Sequence, residues 1–547
     1  MSVYTTLSIA RQALYVSQIG LQMTAQNIAN VNTQGYKRQR VNQANLPYGL
    51  GVTIQSIERQ LNTFAEKRLL DVTSDSTRAT ATAVTCKNLE DLFNDVAQRG
   101  LDAEFQDFFQ SLQDLSARPS GASERATLRS RGESISNLFG FYYGQMTQEM
   151  RNQDVVVEDA VTKVNAILKN VAELNRKIGE SVENKMGINE LRNERDEWVR
   201  QLAELMPVTA SEDAKGNYTL YLKESMPLVA GVIYYQLETE TDVTNDLKKE
   251  IYWTTDTGVR QNITDKISSG TIGAALEIRD KIVPEQMAKL DRLAAEFVLA
   301  FNAQHRAGTG LDNVSGRNFF ATLPVYARTG QGSQGGAGVT SAVVSDETRL
   351  TLDDYEIRFT SPTTYELRDV TLGSTVASGA YTPGMTLSFD GIDVTLNDVT
   401  GPPVTGDYIR VNTVSEAARN MRVADEILNS TDAIGAGLSD GSGDNRNALE
   451  LANLENKPVA AGGTMSFRQM YQAMLVQLGV NASSANLQSD SQDALLSQTT
   501  NLVESVSGVN TDEEATSLIV YQRAYQAAAK VITITDDIMA STLDIIR

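Results

Sequence analysis

The first forty residues place apolar side chains at a helical period. Leu7, Leu14, Leu21 and Ile28 recur every seven residues, and Ile9, Val16 and Met23 run beside them on the same face. Gly20 is the one helix-weakening residue before Gly35, and Asn27, Asn30, Asn32 and Gly35 crowd the end as a helix stop should. The last stretch of the chain repeats the period. Leu518, Tyr525, Ile532 and Met539 step by seven, with Tyr521, Ala528, Thr535 and Thr542 three positions further on. Two apolar helices therefore bracket everything else.

Between them the period changes several times. Val41 to Ile57 carries Pro47, Gly49 and Gly51 and reads as extended loop. Helix resumes near Leu61, and Phe105, Phe108, Phe109, Leu112 and Leu115 follow the i, i+3, i+4, i+7 rule up to Pro119-Ser120-Gly121. Gln145 to Ile178 contains no Gly or Pro. Its Met150, Val157, Val164, Val171 and Ile178, with Val161 and Leu168 between them, predict a coiled coil or long bundle helix in which Asn175 fixes register. A further helix, about Leu191 to Leu205, ends at Pro207; from Val208 to Ser268 short strands follow, with Tyr218, Leu220 and Leu222 alternating. Pro284 opens another helix with Met287, Leu290, Phe297 and Phe301 on one face.

Phe319 to Val411 is a β segment. Tyr355, Ile357 and Phe359 alternate, and Asp390-Gly391 between Phe389 and Ile392 is a two-residue hairpin signal. Helix returns after Ser415 and is interrupted at Gly435 to Asp444. The expected fold is mainly α with a β insert, an α+β chain. Its discontinuous helical coiled-coil or bundle core is built from the N- and C-terminal segments, and its β domain points outward. The expected divisions are a terminal helix and loop (1–60), a helical bundle (61–318) with a short β segment near 208–268, a β-rich insert (319–412), return helices (413–506) and a C-terminal helix (507–547).

A terminal heptad stripe must be buried against something. The gain from burying it is comparable with the entropy of ordering its backbone, so a lone terminal helix, or the pair, is expected to be marginal until neighbours add burial. The competing reading is an ordinary bundle with both ends packed on the body.

Composition narrows the chemistry. A net charge of −21 argues against nucleic acid and anionic membrane surfaces. With only 11 Pro in 547 residues, long helices are favoured, and the length itself suggests several domains. One Cys, Cys86, precludes an internal disulfide framework, and one His, His305, with no His-Glu-x-x-His, leaves no zinc protease site. No apolar run is long enough for a membrane span, and Met1-Ser2-Val3-Tyr4 opens no cleavable secretion signal. No catalytic, metal or cofactor site is expected. Gly330 to Gly335 spells G-x-G-x-x-G but lies in loop with no helix after it. Asp440 to Asp444 resembles a calcium loop, yet its twelfth position is Leu451. His305 reads as a helix-end polar residue, Cys86 as a small buried apolar one, and Asn193 to Asp196 as a solvated face with local salt links. Lys37-Arg38-Gln39-Arg40 reads as a local interface patch.

Both ends resemble the bacterial flagellar axial proteins. Ala25-Gln26-Asn27-Ile28-Ala29-Asn30-Val31-Asn32-Thr33-Gln34-Gly35-Tyr36-Lys37-Arg38 is similar to the family's ANNIANxNTxGYKR signature, departing at Gln26. Ser507-Gly508-Val509-Asn510-Thr511-Asp512-Glu513-Glu514, followed by Leu518 to Ala527, resembles its GVNLDEE…YQ.AYQA ending. Asn189 to Asp196, Phe301-Asn302-Ala303-Gln304-His305-Arg306-Ala307-Gly308, Phe319-Phe320 and Gly443 to Leu449 are similar to segments of the members that join hook to filament.

The resemblance implies an extracellular, non-enzymatic structural protein of the flagellum, exported through the type III channel without a cleavable signal. Its termini would form an inner helical tube. Its partners would be further copies in a ring, the hook protein, hook-associated protein 3, and a cytoplasmic export chaperone on the C-terminal helix. Leu7, Leu14, Leu21 and Ile28 with Leu518, Tyr525, Ile532 and Met539 would be the assembly seam, and Asn27, Asn30, Asn32, Gly35 and Tyr36 the family motif. Three alternatives stand beside it: another axial component such as the hook protein, a surface adhesin carried by the β insert, and a hydrolase in that insert.

Overall fold

The computed structural model describes residues 3–33, 35–47, 50–94, 100–180, 187–213, 216–222, 226–242, 245, 247–255, 257–330, 332–439 and 441–546. Gln34 of the N-terminal signature, Gln331 of the glycine motif and Asp440 of the calcium-like loop lie outside the described residues. Helix α1 (Val3–Ala29) is followed by an antiparallel hairpin, β1 (Gln39–Asn45) and β2 (Val52–Arg59), with Gln39 opposite Arg59 and Asn45 opposite Val52. The expectation of a loop here is corrected. Pro47 and Gly51 mark only the turn region, while Val41, Ile54 and Ile57 turn inward and cover Ile19 and Met23 of α1.

The chain then enters the body through α2 (Thr63–Asn94), α3 (Leu101–Ala117), α4 (Ala122–Glu180) and α5 (Ile188–Leu205). Helix α4 runs for 59 residues, about 90 Å at 1.5 Å per residue, and serves two cores. Its first half lends Leu128, Ile135, Phe139 and Tyr142 to a large aromatic core with Phe105, Phe108, Phe297, Phe301, Phe319 and Phe320. Its second half packs on a small β unit. There β3 (Thr209–Glu212), β4 (Tyr218–Leu222), β5 (Met226–Ala230) and β6 (Ile233–Tyr234) form one antiparallel sheet, and β7 (Gln236–Asp242), β8 (Lys248–Thr254) and β9 (Arg260–Asn262) form another.

The seven-residue stripe of α4 is therefore buried, but Val157, Val164 and Val171 share a mixed core with Leu220, Leu228 and Ile251 of the strands and with Val199 and Leu202 of α5, not a coiled-coil seam. Asn175 sets no coiled-coil register. Its Nδ2 donates to the carbonyls of Tyr218 (2.9 Å) and Gly231 (2.6 Å), and its Oδ1 accepts from Tyr218 N–H (3.0 Å) and Arg195 Nη1 (2.9 Å).

Next come α6 (Gly270–Glu277) and α7 (Val283–Arg306), joined without a break by a π-helical turn at Ile278–Ile282. Pro284 stands in the first turn of α7, as the sequence suggests, but the helix runs on from α6 through this turn. The wider turn before it absorbs the hydrogen bond that a proline nitrogen cannot give. The β insert has its own core of Tyr355, Ile357, Phe359, Leu367, Phe389 and Val394, among others. Its strands are β10 (Tyr326–Thr329), β11 (Ala337–Val344), β12 (Tyr355–Ser361), β13 (Thr364–Asp369), β14 (Ser374–Ala380), β15 (Thr386–Phe389), β16 (Ile392–Asp398) and β17 (Tyr408–Asn412). They form sheets in the order β10-β17-β12-β13-β14 and β11-β16-β15. Asp390 (φ 43°) and Gly391 (φ 79°) make the tight turn that joins Phe389 to Ile392.

The return path runs through α8 (Ala417–Asn420), α9 (Asp425–Asn429), α10 (Arg446–Asn453), α11 (Phe467–Ser507) and α12 (Thr511–Ile546). A capping box between Ser466 and Gln469 starts α11. Helix α11 lies along α2, and α12 lies along α1. The α2–α11 contact uses small side chains: Ala83 and buried Cys86 meet Ala482 and Ala485, Ser76 donates to Asp493 (2.6 Å), and Thr80 bonds Ser489 (3.1 Å).

Candidate assembly junction

The two chain ends meet as an antiparallel-looking heptad pattern only in part. On α1 the buried line is Val16, Ile19, Gly20, Met23 and Asn27, and Leu7, Leu14, Leu21 and Ile28 are half-buried beside it. On α12 the buried positions are Glu514, Ala528 and Thr535, which with half-buried Tyr521 step by seven; Leu518, Ile532 and Met539 are half-buried and Tyr525 is exposed. The closest approach is at Gly20. A Cβ there would lie 2.5 Å from Cδ1 and Cε1 of Tyr521, so the missing side chain is what seats the ring.

The motif asparagines differ in role. Asn27 is buried and uses all four of its hydrogen-bonding positions. Its Nδ2 donates to Gln39 O (2.9 Å) and Glu514 Oε2 (3.1 Å), and its Oδ1 accepts from Tyr36 Oη (2.8 Å) and Gln39 N–H (3.1 Å). One side chain thus ties α1, the hairpin and α12. Burial pushes the Tyr36 phenol up to about 12, which keeps it a donor at neutral pH. Asn30 caps locally, donating to Gln26 O and accepting from Thr33, whereas Asn32 is exposed. Gly35 has φ 77°, a left-handed turn that suits glycine.

The basic patch and the acidic ending of the motifs meet directly. Arg38 Nε pairs with Glu514 (2.7 Å), its Nη1 with Glu513 (2.6 Å), and its N–H donates to Ser507 O (2.8 Å). Lys37 pairs with Glu66 on α2 (2.5 Å). Asn510 starts α12 by accepting from the Asp512 N–H (2.9 Å).

Asn193 to Asp196 was expected to be a solvated face or a set of local salt links; only Glu194 is exposed, and with Asn189 and Glu190 the cluster braces this clamp. Asn189 donates to Gln39 Oε1 (2.9 Å) and Ile57 O (3.1 Å), and Glu190 accepts from Gln26 (2.5 Å). Arg59 bonds Asn193 (3.0 Å) and Asp196 (2.6 Å). Arg195, fully buried, lies 3.5 Å over the Tyr218 ring and bonds Glu212, Gly216 O and Asn175. The signal that could have revealed this was the density of amide and guanidinium groups on one short helix.

The middle motifs form a second polar knot. Asn302 Oδ1 accepts from the Phe319 and Phe320 N–H groups (3.1 and 2.9 Å). Gln304 donates to Asn447 (2.8 Å), which donates to Gly435 O (2.6 Å). His305 is fully buried, with Nδ1 on Arg317 O (2.7 Å) and Nε2 accepting from Gly435 N–H (2.9 Å). Burial pulls its imidazole down to about 4, so it is neutral at pH 7. Among the described residues no group of three His, Cys, Asp or Glu side chains is placed to hold a metal ion.

Comparison with known proteins fits this layout. The family described as "Flagellar hook-associated protein FlgK helical domain" matches residues 86–320, and "Flagellar basal body rod FlgEFG protein C-terminal" matches residues 503–545. Flagellar hook-associated protein 1 of Escherichia coli (strain K12) is 26% identical over 552 residues, covering 98% of each chain. That of Bacillus subtilis (strain 168) is 24% identical over 582 residues, covering 99% of this chain and 98% of the relative. The solved flagellar hook junction protein FlgK from Burkholderia pseudomallei shares the fold, with a TM-score of 0.68 at 20% identity over 81% of this chain and 100% of that one.

A helical body with a β insert, clamped at both chain ends by these motifs, defines a structural component of the bacterial flagellum. Within that class, the chain matches the FlgK helical domain over residues 86–320 and is similar along almost its whole length to flagellar hook-associated protein 1.

Proposed function

We propose that the chain forms the first ring between hook and filament and polymerises through the faces that its paired terminal helices leave open. One observation carries this reading: α1 and α12 cover each other on one side only. Val531, Ile534 and Ile538 of α12, at i, i+3 and i+7, are 39% to 50% exposed, and Val520 of α12 and Tyr4 and Tyr15 of α1 are more open still. Apolar faces of this kind gain free energy when neighbouring helices cover them.

In this reading Leu7, Leu14, Leu21, Ile28, Leu518, Tyr525, Ile532 and Met539 complete the seam between copies, and segments 1–60 and 507–547 build the inner tube. The β insert, 319–412, projects outward. The flanking partners are the hook protein and hook-associated protein 3, and an export chaperone shields the C-terminal helix beforehand. The protein is extracellular and does no catalysis. A chain with one Cys and no disulfide can cross a type III channel unfolded and refold outside.

A deletion strain tests the proposal. It should make hooks that carry no filament and release unassembled flagellin into the medium. A strain without hooks would instead assign the chain to the hook itself.

A further inference from the structure

Charge is divided unevenly along this chain. Residues 1–70 carry seven Lys and Arg against two Asp and Glu, a net of +5 in a chain whose total is −21. Lys37, Arg38 and Arg59 spend their charge inside the clamp. Lys67 and Arg68, in the first turns of α2, are exposed and have no ion pair among the described residues. Phe64, 71% exposed, precedes them by three and four positions, so the three side chains share one helix face. The opposite face of this helix, Ala65 and Leu69, is the one buried. An aromatic flanked by two free cations thus stands out from the surface.

Its complement in charge is on helix α5. A cleft of about 420 Å³ opens between the loop carrying Gly35 and Tyr36 and helix α5. Glu190, Glu194 and Glu197 line it with half-buried Trp198, and no cation is among its lining residues. Glu194 is exposed and has no partner among the described residues. Asn193 lines the same cleft at 8% exposure; its Oδ1 is taken by Arg59, but its Nδ2 has no acceptor. A buried donor left unpaired is costly, and it marks the cleft wall as incompletely satisfied in the single chain. The two patches are on different elements, the basic face on α2 and the acidic cleft between α5 and the loop of Gly35 and Tyr36.

We infer that the Phe64, Lys67 and Arg68 face of one copy docks into the Glu190, Glu194 and Trp198 cleft of the next. The contact is heterologous, so repetition closes a ring or winds a helix. Its charges set which copies meet and in which register, while the aromatic pair supplies contact area. This deepens the junction reading and rests on it.

Charge swapping on the full chain in its native host tests the pairing. Glu194→Lys alone and Lys67→Glu alone should each lower the amount of the protein in purified flagella at least fivefold. The combined Lys67→Glu/Glu194→Lys chain should return to within twofold of the unsubstituted protein. A second measurement joins Lys67→Cys with Glu194→Cys in one chain; oxidation of assembled flagella should then give a ladder of covalent multimers. Normal incorporation of both single variants, or an unrescued double variant together with no ladder, overturns the contact. Absence of the unsubstituted protein from purified flagella would overturn the junction reading instead.

Discussion

Tyr521 of α12 rests on Gly20 of α1, in a space that any side chain at position 20 would occupy. The one helix-weakening residue of the first helix is therefore the socket that fixes how the two chain ends lie together. Gly20→Leu should push the helices apart at a cost of about 1–3 kcal/mol, the usual penalty for overpacking. Hydrogen exchange should speed up in 3–29 and 511–546 and stay unchanged in the body. Adding Tyr521→Ala should restore part of the protection; no recovery would mean that the ring is not what the new side chain strikes.

Asn27 and Asn32 belong to the same motif and should behave differently. Asn27→Ala strands the Gln39 N–H and carbonyl and one oxygen of buried Glu514, and should cost about 1–3 kcal/mol of terminal stability. Asn32→Ala, at an exposed position, should stay within about 0.5 kcal/mol. Limited proteolysis of the two purified variants decides, with faster release of the C-terminal helix expected only for the first.

Periodicity revealed which face of α4 is covered, but not what covers it. The α4 stripe reads as a coiled coil because strands and helices can bury the same valines, and Asn175 looked like a register residue because nothing local shows that Tyr218 and Gly231 are its partners. The Asp390-Gly391 turn was legible because its conformation depends on those two residues alone. The α2–α11 pair was not legible as a pair. Its contacts are Ala, Ser and Thr some 400 positions apart, for example Ser76 with Asp493, and they leave no strong apolar stripe. In the clamp, the family motifs were visible in sequence, but the brace from α5 needed the fold to bring Asn189, Asn193 and Asp196 to the hairpin.

The buried pair Asn175 and Arg195 should hold the small β unit on α4. Asn175→Ala removes a neutral partner of a fully buried guanidinium and leaves the Tyr218 N–H and two carbonyls unbonded. A loss of roughly 3 kcal/mol is expected from breaking such a buried charged network. Hydrogen exchange should locate it in 218–231, and an unchanged exchange pattern there would remove Asn175 from the role given to it.

His305 should make the folded protein acid-sensitive. Its ring is neutral in the fold, with a pKa near 4 against 6.5 in the open chain. The unfolded state therefore binds more protons between these values. The contribution is complete above pH 6.5 and is lost as pH falls toward 4, amounting to about 3 kcal/mol. His305→Gln should flatten the stability profile between pH 4 and 6.5, as read from urea unfolding at a series of pH values. An equally steep profile in the variant would place the acid sensitivity elsewhere.

Hydrogen exchange of the terminal helices, compared between the isolated chain and purified flagella, is the most direct test of assembly through the chain ends. In the isolated chain, 3–29 and 511–546 should exchange well before the aromatic core around Phe108 and Phe297, and in flagella they should become as protected as that core. Terminal helices already as protected as the core in the isolated chain, with no gain on assembly, would contradict it.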